Sequence, residues 1–227
     1  MKILALDTAT NSCSVAATDD GVLSAELTIR KNQTHSKHLM QLVHSVLEIA
    51  GFDVADLDGL AVTIGPGSFT GLRIGISTIK GLAYALGKPV VGVSTLKALA
   101  WQCGQTPYLI CPLIDARKGE VYAATYRFNA GQLVQKTGAR AMVPEAVVEH
   151  IKSPCVFIGT GARLYRQNIV SAAGSLAHFV PAGQNVIRAS SVAFLSIPRF
   201  EANDIDGIDG LVPHYIRKSD AELNFDR

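Results

Sequence analysis

A mixed α/β fold made of two similar units, each with the element order βββαβα, is predicted for this chain of 227 residues. Three observations support the prediction. Hydrophobic residues make up 48% of the sequence, which is enough to bury the cores of one large or two small domains. Strand-like and helix-like segments follow one another in the same order in both halves. In each half the first strand ends in an aspartate, and a later buried strand ends in a Gly-x-Gly turn.

Local patterns define the elements of the first half. Asp20-Gly21 is a tight-turn signal between two strand-like segments, so the chain begins as an antiparallel meander. Apolar residues at three- and four-residue spacing then indicate a helix, which Gly51 ends. The predicted order is strands at 2–6, 12–18 and 22–29, a helix at about 36–50, a strand at 60–64, a helix at about 70–86, a strand at 90–93 and a helix through Trp101.

The second half repeats this order in a smaller and more divergent form. Its predicted elements are strands at 108–115, 120–127 and 132–136, a helix at 144–152, a strand at 155–158, a helix after Gly161, a strand at 177–180 and a helix from about Ser190. The predicted domains are therefore residues 1–103 and 104–227, the second ending in a charged tail. Two such ribonuclease-H-like units face to face form the actin-like (ASKHA) architecture, whose active members hold a nucleotide between the domains.

Charge and cysteine content exclude several classes of protein. Lys and Arg number 21 against 19 Asp and Glu, so the net charge of +2 does not indicate a dedicated nucleic-acid binder. The four cysteines have neither the spacing of a zinc site nor the density of a disulfide scaffold. The first residues lack the apolar segment of a signal peptide, and no stretch is apolar enough for a bilayer span. We therefore expect a cytoplasmic protein that does not associate with membranes.

A working nucleotide cleft needs a carboxylate at a strand end and small hairpins around phosphates in both halves. The first half offers Asp7 and Thr8, but the second follows Asp115 with Arg117 and Lys118, which either contact phosphate or fill its space. The second Gly-x-Gly turn either accepts adenosine or only satisfies backbone geometry. The candidates for a vestigial nucleotide cleft are Asp7, Thr8, Asp115, Gly159 and Gly161.

The predicted helix at about 70–86 has two apolar stripes when it is projected at helical spacing. The stripe of short side chains consists of Gly71, Gly75, Thr78, Gly81 and Ala85. The adjoining aliphatic stripe consists of Leu72, Ile76, Ile79, Ala83 and Leu86. Short side chains allow a close approach to the sheet. The aliphatic stripe either packs against the helix at 36–50 within the same domain or forms with it a ridge that associates with another subunit.

Four stretches carry a resemblance to a known family. They are residues 3–10, 65–75, 114–122 and 213–217, and the most specific part is the unbroken run GPGSFTGLR at 65–73. With these motifs the chain resembles the TsaB (YeaZ) family, the small bacterial paralogue of the TsaD enzyme that makes threonylcarbamoyladenosine in tRNA. The resemblance spans the chain.

The resemblance implies a non-catalytic subunit that dimerises with the TsaD-type enzyme for threonylcarbamoyl transfer to the tRNA adenosine next to the anticodon. A TsaE-type ATPase and a TsaC-type enzyme complete the system, so ATP is used by partners and this chain needs no cofactor. We expect tRNA to be contacted mainly through the complex, and the isolated chain to form a homodimer. The family dimerises through its first two helices. The implied interface residues are His38, Leu42, Phe69, Leu72, Arg73, Ile76 and Lys80.

Two other functions are kept as alternatives. An actin-like ATPase or small-molecule kinase would use the candidate cleft residues. A metallopeptidase is considered because members of the superfamily have been labelled glycoproteases. However, no carboxylate accompanies His35 and His38 in their helical turn, which favours surface or helix-cap histidines. The TsaD-type enzyme holds its metal with an HxEGH-type pair, and residues 93–100 here contain neither histidine nor carboxylate. We therefore predict no catalytic residues and no metal ligands.

Overall fold

Five strands form the first sheet of the computed structural model, which describes residues 1–30 and 35–217. The strands are β1 (Lys2–Asp7), β2 (Ser12–Asp19), β3 (Val22–Arg30), β4 (Gly59–Gly65) and β5 (Val90–Ser94). Their order is β3-β2-β1-β4-β5, with β1 to β3 antiparallel and β4 and β5 parallel to β1. The carboxyl ends of β1, β4 and β5 therefore meet at one edge of the sheet.

Three helices connect these strands and lead the chain out of the sheet. They are α1 (Leu39–Ala50), α2 (Phe69–Leu86) and α3 (Thr95–Trp101). Helix α1 packs on β2 and β3, and α2 packs on β4 and β1. Both α1 and α2 end at glycines with positive φ, Gly51 at 69° and Gly87 at 64°, because the left-handed conformation that closes a helix favours glycine. The sequence predicts every one of these elements, and the bounds agree within about three residues.

Seven strands form the second sheet. They are β6 (Leu109–Arg117), β7 (Glu120–Ala123), β8 (Tyr126–Asn129), β9 (Gln132–Gln135), β10 (Arg140–Met142), β11 (Cys155–Ile158) and β12 (Ala177–Phe179). The main order is β10-β7-β6-β11-β12, and the β8–β9 hairpin is attached to β6. The strand predicted at 120–127 is therefore two strands, and the short edge strand β10 has no counterpart in the prediction.

One face of the second sheet is covered by helices α4 (Pro144–Glu149), α5 (Thr160–Leu164) and α6 (Arg166–Ala173). Alternate strand residues such as Cys111, Leu113, Cys155 and Phe157 point to that face and form a core with the helices. The order of β6, β7, β11 and β12 repeats that of β1, β2, β4 and β5. The duplicated βββαβα order predicted from the sequence is therefore present in the fold.

The last helix, α7 (Ala189–Glu201), returns to the first unit. The chain groups into one unit of residues 1–98 and 187–213 and another of residues 99–186 and 214 onward. The sequence placed the helix from about Ser190 in a domain of residues 104–227. Instead, α7 packs on β1, β2, β4 and β5. The charged tail predicted from residue 218 lies outside the described residues.

Side-chain alternation places α7 and α2 on opposite faces of the first sheet. A Cβ on Gly59 of β4 would lie 2.7 Å from the Phe200 ring of α7, whereas Val62 faces Gly75 of α2. Since the two β4 residues are three positions apart, they point to opposite faces. Both faces are thus covered, which explains why β1, β2 and β4 are almost continuously buried.

Among the described residues, no helix is both long enough and apolar enough to cross a membrane.

Candidate functional site

The amino end of α2 is built directly onto the loop after β1. The Ser68 backbone N donates to the Ala9 carbonyl at 2.7 Å, and the Thr8 hydroxyl donates to the Gly71 carbonyl at 2.7 Å. A Cβ on Gly71 would lie 2.1 Å from the Thr8 carbonyl oxygen, which is closer than any side chain can approach. The glycines of the GPGSFTGLR run therefore allow α2 to pack closely on this loop. In the short-side-chain stripe, Gly71 and Gly75 are buried but Gly81 and Ala85 are exposed, so the predicted close approach holds only for its first half.

The aliphatic stripe of α2 is buried within the first unit. Leu72, Ile79 and Ala83 have no exposed surface, and Ile76 is only 4% exposed. The alternatives left open for this stripe were the helix at 36–50 and another subunit, but α2 packs chiefly on β4 and β1 of its own unit. The buried side chains of this stripe hold α2 against the rest of the first unit.

A different set of residues faces solvent along α2. This exposed stripe consists of Thr70, Arg73, Ser77, Gly81 and Tyr84. Its middle is nearly flat, because Gly81 has no side chain. The space beside Gly81 is also open, since a Cβ there would meet nothing within 4 Å. Its two ends are bulky: the Arg73 guanidinium lies 3.9 Å from the Phe69 ring centre, and Tyr84 is 63% exposed.

A loop after α7 reaches the carboxyl half of this helix. The Lys80 ammonium donates to the Asp209 carbonyl at 3.2 Å, and the Tyr84 hydroxyl donates to the Asp209 carboxylate. These contacts fix two large polar side chains at one end of the exposed stripe. Asp209 is a contact that the sequence alone does not reveal, because it lies 125 residues from Tyr84.

The start of α1 lies beside α2, since the 3-10 turn at His35–Lys37 contacts that helix. The His35 Nε2 donates to the Thr10 carbonyl at 2.7 Å, which gives this histidine a structural role. His38 occupies the cap position of α1 and is half-buried, while His44 is exposed. Within residues 1–30 and 35–217, no three His, Cys, Asp or Glu side chains are grouped to hold a metal.

The seven interface residues implied by the resemblance occupy three environments. Leu42, Leu72 and Ile76 are buried, and His38, Phe69 and Lys80 are half-buried. Arg73 is exposed. Contact with another subunit through these residues stays a prediction. Among them Arg73 has the largest exposed fraction, and it belongs to the exposed stripe.

Asp7 is sealed in the first unit. Its Oδ1 accepts hydrogen bonds from the Thr63 hydroxyl at 2.7 Å and from the Ala9 amide at 3.3 Å. Its Oδ2 is buried and has no hydrogen-bond partner among the described residues, and burial raises the pKa of Asp7 to about 7. Since the side chain has no exposed surface, this carboxyl does not reach a ligand in solvent in this conformation.

Thr8 contacts α2 as described above, and the remaining candidate cleft residues, Asp115, Gly159 and Gly161, lie in the second unit, where the two glycines pack on β6 and β7. A Cβ on Gly159 would lie 2.5 Å from the Leu113 carbonyl oxygen, and one on Gly161 would lie 2.8 Å from Val121 Cγ1. Both glycines are therefore required by the fold itself. The Asp115 amide donates to the Thr160 hydroxyl at 3.1 Å, and the Gly159 amide donates to Asn185 Oδ1 at 2.8 Å. Of the two alternatives for this turn, these contacts support the one in which it satisfies backbone geometry.

Sequence comparison relates nearly the whole chain to one family. The family model described as TsaD, tRNA N6-adenosine threonylcarbamoyltransferase, matches residues 23–225. The tRNA threonylcarbamoyladenosine biosynthesis protein TsaB of Bacillus subtilis is 35% identical over 228 residues, which cover 99% of this chain and 98% of that protein. TsaB of Escherichia coli is 37% identical over 169 residues, 71% of this chain and 72% of its own length.

Solved structures agree with this relationship. YeaZ from Pseudomonas aeruginosa superposes with a TM-score of 0.81 at 29% identity, covering 94% of this chain and 99% of that chain. A ROK hexokinase from Thermus thermophilus, at 11% identity, has a TM-score of 0.51 and covers 87% of this chain and 99% of its own. The second likeness concerns the fold alone. The predicted actin-like fold and the predicted family resemblance are both confirmed.

Proposed function

The chain belongs to the TsaB (YeaZ) family, which serves the biosynthesis of threonylcarbamoyladenosine in tRNA, and we propose that it does so as a non-catalytic subunit. In this proposal it dimerises with the TsaD-type paralogue, which carries out threonylcarbamoyl transfer to the adenosine next to the anticodon. A TsaE-type ATPase and a TsaC-type enzyme use ATP, and this chain binds no cofactor of its own. When its partner is absent, the same surface forms a homodimer.

The exposed stripe of α2 is the observation that carries this proposal. Ser77 and Gly81, one helical turn apart, allow another helix to approach the α2 backbone closely. Arg73 and Tyr84 stand at either side of this flat centre, and Arg and Tyr are enriched in the cores of protein interfaces. The Tyr84 contact with Asp209 holds the ring in place before a partner binds, which lowers the entropy lost on association.

The non-catalytic part of the proposal is supported by the state of the cleft residues. Asp7 is buried and its raised pKa leaves it partly protonated at neutral pH, which weakens any role as a metal ligand or base. The space beside Gly159 and Gly161 is filled by neighbouring atoms of the second unit. An actin-like ATPase or small-molecule kinase would need these groups to be accessible, so we do not favour that alternative.

Gly81→Arg tests the location of the interface. A Cβ at residue 81 would meet no neighbour within 4 Å, and Arg forms helix more readily than Gly, so we expect the variant to keep its fold. We expect light scattering to show loss of the homodimer and of the heterodimer with the TsaD-type paralogue. Threonylcarbamoylation of tRNA by the reconstituted proteins should fall in parallel.

Ser171→Arg is the matched control, because it adds the same side chain to an exposed position of α6 in the second unit. It should leave association and tRNA modification unchanged. Retained heterodimer formation in Gly81→Arg would refute the proposed interface. Ile76→Glu is a poorer test, since a charge at a position that is 4% exposed destabilises the first unit itself.

A further inference from the structure

The two units differ in charge, although the whole chain is nearly neutral. Among the described residues, the second unit carries nine Lys and Arg against four Asp and Glu, a net charge of +5. The described part of the first unit carries nine Lys and Arg against twelve Asp and Glu, a net charge of −3. The near-zero total does not indicate a dedicated nucleic-acid binder, but charge acts locally over about 10 Å at ordinary salt. The second unit by itself has the charge of a phosphate-binding module.

The β6–β7 hairpin places two of these cations at an exposed tip. Lys118 and Gly119 are its central residues, with φ of 53° and 81°, and Arg117 before them has φ of 62°. A two-residue hairpin turn with positive φ at both central positions favours Asn or Gly. Cationic side chains occupy two of these three left-handed positions, where the turn itself has no need of them. Backbone conformations of this kind are found disproportionately at functional sites.

Both carboxylates of the hairpin are engaged with groups other than the Arg117 side chain. Asp115 Oδ1 accepts from the Arg117 backbone N at 2.9 Å, and Glu120 Oε2 accepts from Arg217 Nη1 at 2.8 Å. Within the part of the chain that the structure describes, the Arg117 guanidinium makes no hydrogen bond or ion pair. Its positive charge is therefore available to a ligand in solvent.

We propose that Arg117 and Lys118 contact the phosphodiester backbone of the tRNA. This inference rests on the proposed function, because tRNA comes to this chain as the substrate of the complex. A single nucleotide phosphate is usually cradled by backbone N–H groups. Here the Asp115 and Arg117 amides already donate within the fold, and the tip adds two long cationic side chains. Two exposed cations suit a chain of phosphates, whose contacts position a nucleic acid without reading its sequence.

The double variant Arg117→Gly with Lys118→Gly removes both charges and keeps the turn. Glycine is the residue most tolerant of positive φ, so thermal unfolding should occur at the same or a higher temperature. The complex with the TsaD-type paralogue is titrated with tRNA at salt concentrations of roughly 50 to 200 mM. We expect weaker binding and a less negative slope of log K against log salt. The absolute value of the slope should fall by about 1 to 2, because each lost phosphate contact removes about 1.

Arg30→Ala with Lys88→Ala is the control, because it removes two charges from the first unit, neither of which is in the exposed stripe of α2. It should leave the slope unchanged. An unchanged slope in the hairpin variant would overturn the inference. Loss of the heterodimer in the hairpin variant would also overturn it, because the hairpin would then bind a protein. Displacement of tRNA by ATP from the wild-type protein but not from the hairpin variant would overturn it too, because the hairpin would then bind a nucleotide.

The same titration on the isolated chain separates this inference from the proposed function. If the wild-type protein does not form a complex with the paralogue, the subunit proposal fails. The titration of the isolated chain then still tests whether the hairpin contacts tRNA. If the slope of log K against log salt is less negative for the isolated hairpin variant than for the isolated wild-type chain, the tRNA contact is supported. An isolated chain that binds no tRNA, together with a complex that does not form, overturns it.

Discussion

Asp7 occupies the end of β1, where an actin-like protein with an active cleft would need an accessible carboxylate. Here both sides of the carboxyl group are enclosed: Thr63 and Ala9 donate to one oxygen, and the other is buried without a hydrogen bond from any residue that the structure describes. Burial outweighs these two hydrogen bonds and raises the pKa to about 7. The residue is therefore better described as part of the core than as part of a site.

The pKa of Asp7 makes stability depend on pH. Its ordinary value of 3.8 applies to the unfolded chain, so the folded state binds the proton more tightly. The resulting stabilisation is complete below about pH 4 and is lost as the pH rises through 7, by about 4 kcal/mol at full ionisation. We expect Asp7→Asn to remove this dependence and to be more stable than wild type above pH 7.

Urea unfolding of both proteins at several pH values from 5 to 9 measures this effect. The difference between the two free energies of unfolding isolates Asp7, because all other titrating groups are shared. Two parallel pH profiles would show that Asp7 is ionised in the folded protein near neutral pH, contrary to this account.

At the scale of one element, two glycines of helix α2 should have opposite effects on stability when each is replaced by alanine. Gly71 is pressed against the Thr8 carbonyl, while Gly81 faces open space. We expect Gly71→Ala to destabilise the protein by roughly 1–3 kcal/mol, because a backbone neighbour has little freedom to move. Gly81→Ala should stabilise it by about 1 kcal/mol through helix propensity.

Thermal and chemical unfolding of the two alanine variants measure this contrast. Equal effects at both positions would mean that glycine content alone, rather than the contact with the β1–β2 loop, decides the stability of α2. Gly81→Ala also bears on the proposed interface. A methyl group at residue 81 should weaken association less than the arginine at the same position does.

At the scale of the whole molecule, the first unit is discontinuous in sequence. Helix α7 is tied to it by the Ala189 amide, which donates to the Ser14 hydroxyl at 2.9 Å, and by Ser190, whose amide donates to Glu26 at 2.9 Å. Glu26 also pairs with Arg188 at 2.6 Å. A fragment ending at residue 103 lacks this helix and exposes one apolar face of its sheet.

We expect fragment 1–103 to aggregate or to remain unfolded when expressed alone, since an uncovered sheet face cannot support a stable core. Co-expression of residues 187–213 as a separate segment should recover soluble, folded material. Circular dichroism and size-exclusion chromatography distinguish the two outcomes. A monomeric, cooperatively folded fragment 1–103 would show that α7 is dispensable to the first unit.

The sequence by itself determined the kind and order of the elements, because hydrophobic period and turn residues act over a few positions. The repeated order of these elements predicts the actin-like fold, and the resemblance of four stretches, above all the GPGSFTGLR run, predicts the family. The three-residue strand β10 has too few side chains to show a period, and an edge strand needs its neighbour β7 to form. It therefore had no detectable sequence signal.

Only the tertiary structure decided what covers each apolar face. Helical spacing shows that Leu72 and Ile76 share a side of α2, but it does not show whether a sheet or another subunit covers that side. The fold buried them and left Arg73, Ser77, Gly81 and Tyr84 outside. Similarly, α7 was recognisable as a helix, yet its return to the first unit and the burial of Asp7 depend on contacts between residues far apart in the chain. Such contacts leave no trace in a local pattern, because burial is a property of the assembled core.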